Sequence, residues 1–138
     1  MTASPRQIVV GLSALALAGG LVACGETVST GNFKGESHNV AQTVSNFEND
    51  ATSLDQKKVC EDDLAATLTT RLRKVGGCQT VLKNQLREID ALTMSIESIN
   101  VTGTNALAHV KSTYSGKNRV TTLKLVKEGS KWKVSGVQ

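Results

Sequence analysis

The stretch Thr93–Gln138, TMSIESINVTGTNALAHVKSTYSGKNRVTTLKLVKEGSKWKVSGVQ, decides the fold. It is rich in β-branched residues and is broken by Gly103, Gly116 and Gly129. Each break carries turn residues: Gly103-Thr104-Asn105, Ser115-Gly116-Lys117-Asn118 and Glu128-Gly129-Ser130. Extended runs punctuated at this spacing predict a meander of about four antiparallel strands. Ala106, Ala108 and Val110 alternate with Leu107, His109 and Lys111. Trp132 and Val134 alternate with Lys131 and Lys133. This period of two assigns one apolar face to each strand. In the first run Met94 and Ile96 fall on one face and Ile99 and Val101 on the other. The switch predicts a bulge near Glu97-Ser98.

Upstream the period lengthens. Val40, Val44, Phe47 and Ala51 are spaced as one helical face, with Ser37 or Asn39 as a candidate cap. Ser53 or Asp55 can cap a shorter second helix through Lys57, Val59 and Cys60. In CEDDLAATLTTRLRKVGG, Leu64, Leu68 and Leu72 form a stripe four apart, and Gly76-Gly77 is a stop. Cys78 then opens a last helix that turns Val81, Leu82, Leu86 and Ile89 inward. Helices first and antiparallel strands after, each with one apolar face, predict an α+β domain with helices packed on one side of a curved sheet.

The first 23 residues read differently. Arg6 precedes an uncharged apolar run, Ile8–Leu21, of 14 residues. A bilayer span needs about 20 apolar residues, so the run suits the core of a signal peptide. Leu21-Val22-Ala23-Cys24 follows and resembles the lipobox of bacterial lipoproteins. That resemblance implies cleavage between Ala23 and Cys24, diacylglyceryl attachment at the Cys24 thiol, and anchoring at the outer face of the cell membrane. The chain then divides into a signal peptide at 1–23, a tether at 24–36 and a folded domain at 37–138. The tether assignment comes from GETVSTGNFKGE, which is rich in Gly, Ser, Thr and charge. With Cys24 lipidated, Cys60 and Cys78 remain as a pair, and an exported compartment permits a disulfide between them. Free thiols are the alternative. No CxxC and no neighbouring His favours a metal, and no metal or cofactor is expected.

The order of these motifs resembles the NTF2-like (cystatin-like) α+β cone of small lipoproteins common in actinobacteria. The likeness is carried by VAQTVSNFENDA, DQKKVCEDDLAATLTTRL, GGCQTVLKNQL and the close RVTTLKLVKEGSKWKVSGV. It implies a fold, a Cys60–Cys78 disulfide and a compartment, and it carries no activity. Cones of this kind that are enzymes place an Asp, His or Tyr in the mouth. The corresponding candidates are Asp55, Asp62, Asp63, His109 and Tyr114, with Asp63, His109 and Tyr114 as the expected ligand pocket.

The chain has 138 residues, 3% of them aromatic, and a formal charge of +4. From Asn105 onward seven Lys and Arg face one acid, Glu128. The basic end suits anionic headgroups or the ordinary Lys protection of sheet edges, and nucleic acid is not expected as a partner. Glu61-Asp62-Asp63 matches no spaced cation loop, and acids there are expected as first-turn residues of a helix. His109 is expected on the open face of the sheet. The reading is of a lipid-anchored, non-catalytic binding domain. A cone-pocket isomerase or hydrolase with Asp63 or His109 as base, and a structural accessory of an envelope complex, are the alternatives.

Overall fold

The computed structural model describes residues 28–87, 92–114 and 116–138. The segment expected as a signal peptide, the lipobox-like residues through Cys24, and Ile89 lie outside the described residues. Strands β1 (Thr93–Thr102), β2 (Asn105–Tyr114), β3 (Lys117–Glu128) and β4 (Lys131–Val137) form one antiparallel sheet in the order β1-β2-β3-β4. The register of β1 on β2 shifts between Ile96 and Ser98, where the apolar face changes sides. A second irregularity lies between Lys124 and Leu125, opposite Val134 and Gly136 of β4.

Helix α1 (Glu36–Thr52) lies across the sheet with Val40, Val44 and Ala51 buried and Phe47 packed against the core. Its N-cap is Gly35, at φ 58°, in place of the Ser37 or Asn39 cap expected from sequence. A cap at Gly35 starts the helix early enough for Glu36 to reach Trp132 Nε1 and Lys127 Nζ, both at 2.7 Å. The short α2 (Gln56–Lys58) is capped by Asp55, whose carboxylate accepts from the Lys58 backbone N–H at 3.0 Å. One π-helical turn, Val59–Asp63, follows. Helices α3 (Ala66–Lys74) and α4 (Cys78–Leu86) complete the layer, separated by Gly76 and Gly77 at positive φ.

Two sequence expectations fail here for a common reason. The stripe Leu64-Leu68-Leu72 does not sit on one helix, because the chain is extended at Leu64 and Ala65. Leu64 pairs in parallel with Val134, and the Ala65 N–H donates to the Val134 carbonyl at 2.8 Å. A hydrogen bond to the edge strand thus replaces a helical one. Lys133, expected on the exposed side of β4, is only 9% exposed. Its ammonium donates to the carbonyls of Glu61 (3.1 Å) and Asp62, at the end of the π turn. A buried ammonium is tolerated because carbonyls replace its water.

The concave side of the sheet is filled. Ala106, Ala108, Val110, Leu123, Leu125, Trp132 and Val134 pack against Val40, Val44, Val59 and Leu64. Val28 belongs to the same cluster at 4% exposure. Its backbone N–H donates to Glu48 Oε2 at 3.2 Å, while Glu48 Oε1 accepts from the Met94 N–H at 2.6 Å. The packed unit therefore reaches back into the segment expected as tether, and Glu48 fastens it to both α1 and β1. Cys60 in the π turn and Cys78 at the start of α4 form a disulfide with Cα atoms 6.1 Å apart. It ties the π turn to the start of α4.

Candidate functional site

A polar cleft of about 750 Å³ opens beside the filled core. Its floor is the solvent-facing stripe of α1: Asn39, Gln42, Thr43, Asn46, Asn49 and Asp50. These residues recur every three or four positions and so share a face. One wall is the turn that carries Lys58, Asp62 and Asp63, and the other is the β3–β4 hairpin through Ser130, Lys131 and Trp132. The walls are held by contacts already formed. Lys133 ties the π turn to β4. Thr43 Oγ1 donates to the Trp132 carbonyl at 3.4 Å. Trp132 is buried with its indole N–H committed to Glu36, and Lys127 Nζ lies 5.9 Å from its ring centroid. These contacts fix Trp132 as a rigid wall of the cleft.

Asp63 is the chemically distinctive residue of the cleft. It is 3% exposed, and its Oδ2 has no hydrogen-bond partner. Burial, then the neighbouring Asp50 carboxylate, pushes its carboxyl up to about 7; the Lys133 ammonium pulls the other way. Desolvation and a like charge both disfavour the carboxylate form. At neutral pH Asp63 therefore exists in both states, able to donate from its O–H or accept at its oxygens. Asp50 is held by Lys58, Nζ to Oδ1 3.7 Å. The amides of α1 supply N–H donors and carbonyl acceptors in pairs. The arrangement can engage the polar edges of a small molecule from several sides.

The expected pocket residues do not come together. Asp63 lines the cleft, but His109 is on the opposite face of the sheet, where its Nδ1 meets Thr122 Oγ1 at 3.0 Å. Tyr114 is in β2, and its side chain lies outside the described residues. Asp63 and His109 are therefore not paired. Asp55 caps α2, and Asp62 is an exposed wall residue. Among the described residues, no three His, Cys, Asp or Glu side chains gather for a metal. The amide stripe of α1 lies on the helix face opposite Val40, Val44 and Ala51. Asn39, Gln42, Asn46 and Asn49 at helical spacing are the signal that could have found it.

Comparison with solved structures places this geometry. An NTF2-like protein of unknown function from Shewanella baltica superposes with a TM-score of 0.55 at 17% identity, over 74% of this chain and 90% of that one. The fold is NTF2-like. A second solved chain, whose name includes NTF2, superposes with a TM-score of 0.52 at 11% identity, over 75% of this chain and 98% of its own. Residues 78–136 match the model of a family described as "Putative lumazine-binding". The match takes in α4 and the NTF2-like sheet, including the Ser130–Trp132 wall, while α1 and the π turn lie outside it. No curated protein sequence matches the chain.

Proposed function

We propose that the protein is a lipid-anchored extracytoplasmic binding protein whose NTF2-like domain takes a small polar ligand in the α1/β3–β4 cleft. The observation that carries this reading is Asp63. A buried carboxyl oxygen without a partner costs roughly 1–3 kcal/mol, and a ligand donor or acceptor would recover it. The amide stripe opposite suits a ligand with alternating N–H and carbonyl edges. Lumazine, named in the description of the matching family, has such edges and is the natural first probe. Anchoring is inferred from the lipobox-like Leu21–Cys24 and the apolar run before it.

The reading is of binding without turnover. The side chains around Asp63 in the cleft are amides, hydroxyls, Asp50, Asp62, Lys58 and Lys131, a set suited to hydrogen-bonding a polar ligand. One measurement reads both halves of the proposal: intact and native mass spectrometry of the protein extracted from its own membranes. The mature chain is expected to begin at Cys24 with a covalent diacylglyceryl mass, and to carry a non-covalent small molecule. Asp63→Leu is expected to keep the first and lose the second. An unmodified Cys24 would overturn the anchoring. A wild-type protein with no small molecule, or an Asp63→Leu variant that retains it, would overturn the assignment of the cleft.

A further inference from the structure

The burial of Val28 fixes where a lipid at Cys24 would hold the domain. Four residues of chain lead from Cys24 to Val28, a reach of at most about 14 Å. Val28 is clamped to Glu48 beside Met94, near the start of β1. Met94 pairs with Ser112, and Ser112 with Arg119, so this is the end of the sheet that carries the β2–β3 hairpin. The β1–β2 and β3–β4 turns, joined by the Lys127 N–H to Thr104 carbonyl bond, lie at the other end. The twelve residues of β3 separate the two ends by about 40 Å.

The hairpin end differs from the rest of the sheet. Lys117, Asn118, Arg119 and Val120 are four successive exposed residues of β3, so both faces of the strand are uncovered there. Val120 is 63% exposed, and Lys111 pairs directly with it. Lys111 shares a face with Val120, and Lys117 and Arg119 project from the other face, so three positive charges surround the hairpin end, against Glu97 at the β1 bulge. Cationic side chains beside an exposed aliphatic one suit the headgroup layer of an anionic bilayer.

We infer that the β2–β3 hairpin, through Lys111, Lys117, Arg119 and Val120, is the end of the sheet that rests on anionic lipid headgroups, so that the β3–β4 wall of the cleft is held at the far end of the sheet. The inference rests on anchoring at Cys24. Its test does not depend on native processing. The chain Cys24–Gln138 has one thiol outside the disulfide and can be coupled through Cys24 to a maleimide lipid.

The experiment is paramagnetic broadening of amide NMR signals by gadolinium-chelating lipid, with the coupled protein on nanodiscs of equal parts phosphatidylglycerol and phosphatidylcholine. The expected result is loss of signal at Gly116–Val120, with Gly103 and Gly129 spared. The gradient should collapse on pure phosphatidylcholine and in a Lys117→Glu/Arg119→Glu variant. Both substituted residues are exposed, and the spectrum of the uncoupled variant verifies its fold. Even broadening, broadening strongest at Gly103 and Gly129, or a gradient indifferent to lipid charge would overturn the inference. Native fatty-acid labelling is read separately. A labelled Cys24 without the gradient overturns the orientation alone, whereas an unlabelled Cys24 overturns the anchoring on which it rests.

Discussion

At the scale of the residue, Asp63 and Glu48 show how burial gives one side chain type two roles. Glu48 is buried, which raises its pKa, yet both oxygens accept backbone N–H groups and its carboxyl is fully used in holding Val28 and β1 to α1. Asp63 is as deeply buried, beside Asp50, and its Oδ2 has no hydrogen-bond partner. That difference has a thermodynamic signature. The Asp63 pKa rises from an ordinary 3.8 to about 7 on folding. Between these values the folded protein binds a proton that the unfolded chain has lost. Stability contributed by this group is therefore full below the lower value and falls as pH rises toward the upper one. The slope approaches about 1.4 kcal/mol per pH unit for one proton. Asp63→Asn is expected to remove that slope and to be the more stable protein at pH 8. Urea unfolding across pH measures it; parallel curves for the two proteins would contradict the account.

At the scale of the element, the β-meander, the bulge near Glu97-Ser98 and the inward face of α1 were legible in the sequence. Their periods of two and of 3.6 are local properties, and the turn residues at Gly103, Gly116 and Gly129 mark the boundaries. The segment from Val59 to Ala65 was not legible. Its leucines have helical spacing, and the chain leaves the helix only because Val134 offers a backbone partner from a strand seventy residues onward in sequence. The cleft inherits that illegibility. Asp63 in a regular first turn would be a solvated acid. Placed at the end of a π turn, beside Lys133 and Asp50, it is buried. The Cys60–Cys78 link, with a sequence separation of 18, holds this turn against α4. Closing a loop of that size stabilises a domain by about 3 kcal/mol in the chain-entropy model. Cys60→Ser/Cys78→Ser is expected to lose about that amount in urea unfolding, with amide exchange rising first at residues 59–65. Unchanged stability would contradict a structural role for the bond.

At the scale of the molecule, the resemblance to an NTF2-like cone gave the right architecture. Among the described residues, the helix-facing side of the sheet is packed with Val, Leu, Ala and Trp132. The polar cleft lies at the seam where α1, the π turn and the β3–β4 hairpin meet. Seen this way, the protein is a packed wedge with two working ends. With the anchoring and orientation proposed above, the hairpin by Val28 would face the lipid and the seam by Ser130 would face away from it. The central claim is that this seam binds a small polar molecule through Asp63. Mapping of backbone amide shifts while lumazine is added to the ¹⁵N-labelled domain tests it most directly. The account predicts shifts clustered at Asn46, Asp63, Ser130 and Trp132 that vanish in Asp63→Leu. Shifts confined to the His109–Thr122 face, or none anywhere, would contradict it.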